Sequence, residues 1–110
     1  MGATTFYHRI ESTNAKDSFN GLVEDAQYEN GHGGYTGTIA EKSAFSMSKK
    51  PTEIDADEWH EMVEDFDEDD KEQKHYHELK SDYNTYDDKW GDALCIPTEK
   101  GFIFCGWASE

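Results

Sequence analysis

The chain has 110 residues, the length of one domain, and carries 25 acidic against 10 basic residues, so its formal net charge is −15 at pH 7. This charge argues against direct nucleic-acid binding, which needs clustered lysine and arginine, and against binding to an anionic membrane. No apolar run approaches the roughly 18 residues of a spanning helix, and two cysteines are too few for a disulfide scaffold, which predicts a cytoplasmic protein.

The first part of the chain predicts a strand followed by a helix. Residues 4–10 are β-branched and aromatic, which is typical of a strand. Four apolar residues then recur at the spacing of an amphipathic helix: Phe19, Leu22, Val23 and Ala26. We expect Asp17 or Ser18 to cap the start of this helix and Asn30 with Gly31 to end it.

Residues 31–37 contain four glycines around one histidine, and the chain after them predicts one or two short strands at 38–40 and 45–47. A glycine-rich loop lets backbone N–H groups approach a ligand closely. The order here is helix, loop and strand, which differs from that of the dinucleotide and phosphate loops. The loop is therefore interpreted either as a flexible turn or as a small-ligand site, whose candidate residues are His32, Gly33, Gly34, Tyr35 and Glu41.

Residues 51–92 hold most of the charge, with 17 acidic and 4 basic residues, and predict two helices. Asp55 and Glu58 have the spacing of a capping box. Apolar residues at helical spacing follow, first at Trp59, Met62, Val63 and Phe66, and after an expected helix break at 67–70 at Tyr76, Leu79, Tyr83, Tyr86 and Trp90. We expect the second helix to run for about five turns and to end at Gly91.

The last part of the chain predicts a β-hairpin, because residues 93–96 and 102–107 are apolar and flank the turn sequence at 98–101. The whole pattern predicts one α+β domain over 1–110, with a mainly antiparallel sheet packed against two or three helices and an acidic helical segment at 53–90. The residues expected to be mostly buried are Trp59, Met62, Val63, Phe66, Tyr76, Leu79, Tyr83, Phe102 and Phe104. Cys95 and Cys105 lie on the two hairpin arms and are expected to be reduced, buried and inert.

Eleven carboxylates fall within the eighteen positions 53–70, and such a surface repels itself. The first functional hypothesis is therefore a non-enzymatic protein that binds a basic protein surface through this segment. The candidate contact residues are Asp57, Glu58, Glu61, Glu64, Asp65, Glu68 and Asp69. A surface that is merely solvated, or adapted to salt, is the alternative interpretation, and self-association of the chain is left open.

The second functional hypothesis is a small-ligand protein or a minor hydrolase that uses the glycine-rich loop with His32, for a nucleotide-like ligand. Its hydrolase form has no complete catalytic set in the sequence, so enzymatic activity is the less favoured prediction. His60 and Glu64 match only half of a zinc-protease motif, because a glutamate stands where the second histidine is required. No metal site and no cofactor are predicted.

Three segments, 31–42, 89–96 and 104–109, resemble segments of a family of small acidic bacteriophage proteins. This resemblance carries no catalytic residue, because no activity is established for the family. It implies a small protein made inside an infected bacterium. It also implies similarity to phage inhibitors of host enzymes or of antiviral defence, some of which mimic DNA. A DNA-binding host protein is then a plausible target, because carboxylates on helices can stand in for nucleic-acid phosphates.

Overall fold

The computed structural model describes residues 3–30, 38–88 and 90–109. Four strands, β1 (Ala3–Glu11), β2 (Phe45–Met47), β3 (Ala93–Pro97) and β4 (Gly101–Ser109), form one sheet in the order β1-β4-β3-β2. Within these ranges the chain also forms three α-helices, namely α1 (Ala15–Asn30), α2 (Ala56–Glu64) and α3 (Tyr76–Asp87). The pairs β1–β4 and β3–β4 are antiparallel, and the short β2 runs parallel to β3. The predicted α+β fold with its terminal hairpin is confirmed.

The central strands β3 and β4 are buried on both faces of the sheet. Their side chains point alternately to the two faces, and helices pack on each face. On one face α1 packs Phe19 against Cys95 and Phe104, together with Phe6 of β1. On the other face α2 and α3 pack against alternate residues of the same two strands: Leu94, Ile96, Ile103 and Cys105. The helices therefore lie on both sides of the sheet, with α1 on one face and α2 and α3 together on the other.

The predicted core is confirmed in part. Trp59, Val63, Leu79 and Phe104 are buried. The other predicted core residues are half-buried at its margin: Met62, Phe66, Tyr76, Tyr83 and Phe102. Aromatic contacts join three of them, since the ring of Phe66 lies 5.6 Å from that of Tyr76 and 5.3 Å from that of Tyr83. These three rings pack on one another at the margin of the core and do not enter its centre.

The predicted strand at 38–40 is wrong. The hydroxyl of Thr38 accepts a hydrogen bond from the Ala40 amide at 3.2 Å, and this bond starts a short 3₁₀ helix, Ile39–Glu41. A side chain that bonds the local backbone competes with strand pairing, which is why threonine favours such turns. Strand β2 follows at the predicted position, 45–47.

The helix boundaries differ from the prediction at two places. Helix α1 is capped by Asn14, three residues before Asp17, because the Asn14 side chain accepts from the Asp17 amide at 3.1 Å. Asp55 precedes α2 as expected, but its side chain makes no capping bond. Helix α3 ends at Asp87, because the Asp88 carboxylate accepts from the Trp90 amide and turns the chain away. Trp90 is consequently 67% exposed and outside the predicted seam.

The two cysteines are free and buried, but they do not face each other. Cys95 pairs with Phe104 and Cys105 pairs with Leu94, so the two thiols point to opposite faces of the sheet. Directly opposed residues share a face, and a shift of one residue reverses it. The fold therefore separates the thiols by its register.

Candidate functional site: the acidic face of helix α2

Helix α2 carries most of the predicted contact residues, and its core-facing side determines where they point. Trp59 and Val63 are fully buried against the sheet and α3, and Ala56 is also buried. Because a helix turns 100° per residue, the acidic residues between these positions are directed outward. Asp57, Glu58, Glu61, Glu64 and Asp65 are all exposed.

A buried carboxylate fixes this helix to its neighbours. Asp82 of α3 is 2% exposed and accepts a hydrogen bond from the Trp59 indole Nε1 at 2.7 Å. It also accepts from the Lys49 amide at 3.0 Å and from the Ser48 hydroxyl. One carboxylate thus joins α2, α3 and the connection that follows β2. Its two oxygens accept hydrogen bonds from three donor groups, as a buried carboxylate requires.

In the sequence, Asp82 is one of the 17 acidic residues of 51–92, with no motif around it. The signal that could have identified it is its position in the apolar repeat, between Leu79 and Tyr86, where an acidic residue interrupts the buried stripe. A buried charge needs partners, so an acidic residue at such a position indicates a hydrogen-bonded network.

One flank of α2 lies over β1. Asp57 binds Arg9 at 2.6 Å and accepts from the Tyr7 hydroxyl at 3.4 Å. One turn further, the ring of His60 lies edge-on to Tyr7, with 4.9 Å between the centroids. His60 Nδ1 lies 3.1 Å from the Glu64 carboxylate. The two residues that match half of the zinc-protease motif therefore contact each other.

The opposite flank of α2 borders a groove of about 380 Å³. Three predicted contact residues line it, Glu58, Glu61 and Asp65, and the half-buried Met62 and Gln73 lie beside them. Within residues 3–30, 38–88 and 90–109, these three carboxylates form no ion pair. The groove therefore presents unneutralised negative charge beside one apolar side chain, that of Met62.

The turn after α2 carries the last two predicted residues. Glu68 and Asp69 are exposed. Their backbone is held in place, because the Tyr76 hydroxyl donates to the Glu68 carbonyl at 3.0 Å and the Asp69 amide donates to the Asp67 carboxylate at 3.0 Å. The structure thus brings all seven predicted acidic residues onto one helix and its following turn, where they divide between two flanks.

The residues of the alternative site cannot be placed in the same way. His32, Gly33, Gly34 and Tyr35 lie outside the described residues, as does the side chain of Glu41. Its neighbour Lys42 is 3% exposed and donates from Nζ to the Asp88 carbonyl at 2.9 Å. Burial lowers the pKa of this lysine, and the nearby Asp88 and Asp92 carboxylates oppose that shift.

Neither cysteine is placed to act as a nucleophile. Burial raises the pKa of the Cys95 thiol to about 12. Burial, followed by the Glu64 and Asp82 charges, raises the pKa of the Cys105 thiol as well. A thiolate is the reactive form, so both positions disfavour reaction. In the part of the chain that the structure describes, no group of three His, Cys, Asp or Glu residues could hold a metal ion, and no helix is long and apolar enough to cross a membrane.

Comparison with protein-family models, with curated proteins and with solved structures gave no match. The resemblance to bacteriophage proteins therefore stays a prediction.

Proposed function

We propose that this protein is a non-enzymatic binding protein that docks the acidic face of α2 and its following turn on a basic surface of another protein. One observation carries the proposal. The carboxylates of Glu58, Glu61 and Asp65 are exposed along a groove and have no cationic partner within the described ranges. Like charges three and four positions apart on a helix repel each other and destabilise the free protein. A positively charged partner would relieve this repulsion.

The groove suits the side chain of a lysine or an arginine. The methylene stem of such a residue would pack on Met62, while its charged end would meet the carboxylates at the rim. The Asp82 network supports this role, because buried hydrogen bonds hold the helix in place before binding, and only the exposed side chains then have to be ordered.

We infer that the partner belongs to a bacterial host and that the protein acts in the host cytoplasm as a small phage-type inhibitor. The negative face resembles a row of phosphates in its charge, so a DNA-binding protein, including one of an antiviral defence system, is the target class that fits best. This proposal rests on the charge and on the resemblance. The loop at 31–37, which carries the alternative small-ligand function, lies outside the described residues.

Two charge-reversed variants test the proposal. In the first, Glu58, Glu61, Glu64 and Asp65 on the α2 face are replaced by lysine. In the matched control, four exposed acidic residues of α1 are replaced, on the other face of the sheet: Asp17, Glu24, Asp25 and Glu29. Both variants change the net charge equally. Thermal unfolding of each variant confirms that it is folded.

Bacterial proteins retained on immobilised duplex DNA are then eluted with each protein. The wild-type protein and the α1 variant should release the same DNA-binding proteins, and the α2 variant should release none. The affinity of each released protein should fall steeply between 50 and 300 mM salt, as screening predicts. If the α2 variant released as much protein as wild type, or if the α1 variant released as little as the α2 variant, the acidic face of α2 would have no specific role.

A further inference from the structure

Among the described residues, β1 is an edge strand of the sheet and is nine residues long. In the described ranges, β1 is hydrogen-bonded to β4 on one side and to no strand on the other. The strand at the opposite edge, β2, has only three residues, a length that offers little for further pairing. A long open edge presents a row of backbone donors and acceptors to which another strand can pair.

The register shows which backbone groups face outward. The Ser12 amide donates to the Lys100 carbonyl at 3.1 Å, immediately beyond the last β1–β4 pair. Because N–H and C=O groups alternate in direction along an antiparallel strand, the even-numbered residues of β1 bond to β4. The odd-numbered residues direct their backbone groups away from the sheet: Thr5, Tyr7, Arg9 and Glu11.

The side chains beside this edge are exposed and include an aromatic ring. Thr5, Tyr7 and Arg9 are exposed on the sheet face that α2 covers, and Tyr7 is 45% exposed. An exposed tyrosine next to unpaired backbone groups is typical of a binding surface, because its ring supplies contact area at a low entropic cost.

Helix α2 gives the edge its charge. Asp57 contacts Arg9 and His60 contacts Tyr7, so the helix runs beside the edge, with Glu64 one turn beyond His60. Arg9 offsets only one of the negative charges along this flank. A strand added about 4.8 Å beyond β1 would direct alternate side chains to the sheet face on which α2 carries Asp57 and Glu64.

We propose that an extended, lysine- or arginine-bearing segment of the partner adds to β1 as a fifth strand. This inference rests on the proposed function and specifies how the basic partner is held: by backbone pairing along β1 and by charge contacts with α2. A second copy of the chain suits the edge less well. Antiparallel pairing of two β1 strands would bring two acidic α2 helices together on one face, and these would repel.

The experiment uses an acetylated and amidated octapeptide of alternating lysine and threonine. Binding is followed by amide NMR shifts and by hydrogen exchange of the whole protein. The amides of Thr5, Tyr7 and Arg9 should shift and gain protection. The amides of Phe6 and His8 already bond to β4 and serve as internal controls, so they should change little. A peptide with N-methyl groups on alternate residues should not bind.

Thr5→Pro provides the test in the protein, since it removes an outward N–H at an edge position, where proline is tolerated. Thr5→Ala is the matched control, because it keeps the N–H. We expect Thr5→Pro to weaken peptide binding about tenfold, as the loss of one interstrand hydrogen bond predicts, and Thr5→Ala to bind like wild type.

The possible outcomes separate this inference from the proposed function. Peptide binding that weakens on α2 charge reversal, but that Thr5→Pro and N-methylation leave unchanged, would overturn edge pairing and leave the acidic-face function intact. Absence of peptide binding would also overturn edge pairing. Protection of Thr5 and Tyr7 that rises with protein concentration in the absence of peptide would identify a second copy as the occupant and overturn the proposal. Failure of the DNA-elution experiment alone would refute the proposed function.

Discussion

The Trp59 indole donates a 2.7 Å hydrogen bond to the Asp82 carboxylate, and both side chains are buried between α2 and α3. The two residues are 23 positions apart in the chain, so this contact forms only when the helices have packed. It holds in place the helix whose outer surface carries the acidic residues. The hydrogen bond between Trp59 and Asp82 therefore helps to fix the orientation of the acidic residues of α2.

Replacing Asp82 by alanine should strongly destabilise the protein. The substitution leaves the Trp59 indole, the Lys49 amide and the Ser48 hydroxyl without their acceptor, and we expect a loss of about 3 kcal/mol in the free energy of unfolding. Urea denaturation measures it. Asp87→Ala, at an exposed position on the same helix, should change stability little. Equal effects of the two substitutions would show that the network contributes nothing.

Two glycine-to-alanine substitutions should act in opposite directions. A Cβ at Gly101 would lie 1.9 Å from the Ile10 carbonyl oxygen, so Gly101→Ala must disturb β1–β4 pairing and should cost at least about 2 kcal/mol. A Cβ at Gly21 would meet nothing within 4 Å, and alanine favours a helix, so Gly21→Ala should stabilise by about 0.5–1 kcal/mol. Urea denaturation midpoints compare them. A stable Gly101→Ala protein would contradict the close strand approach described here.

The two thiols should be unreactive in the folded protein. Both are fully buried, and burial raises the pKa of each, so the thiolate population at pH 8 is very small. Titration with a chromogenic disulfide should detect no rapidly reacting thiol in native protein and two in denaturant. A rapid native reaction of either cysteine, or only one thiol after unfolding, would contradict this arrangement.

His8 should make the stability depend on pH below neutrality. Burial lowers the pKa of His8 from its ordinary value of 6.5, so between the two values the folded state binds fewer protons than the unfolded state. Stability contributed by neutral His8 is therefore present above pH 6.5 and decreases as the pH falls toward the folded-state pKa.

Thermal unfolding between pH 5 and 7.5 tests this expectation. The rise in Tm with pH over that range should be smaller in His8→Gln than in wild type. His77→Gln, at an exposed position on α3, is the matched control. An identical pH dependence in His8→Gln and wild type would remove His8 from the explanation.

Local patterns in the sequence determined a large part of the fold. The β-branched run near the N-terminus, the apolar spacing of α1 and α2 and the turn before β4 each specify an element through interactions between near neighbours. The helical period also predicts that Glu61, between Trp59 and Val63, points to solvent. Those two apolar residues face the core, and Glu61 lies on the opposite side of the helix.

Only the tertiary structure decided how these elements meet. The burial of Asp82, the contact of Arg9 with Asp57 and the division of the acidic residues between a strand edge and a groove all join residues far apart in the chain. Sheet register likewise decided that the thiols of Cys95 and Cys105 face opposite ways. Such contacts depend on which surfaces pack and at what register, and no local propensity encodes that choice.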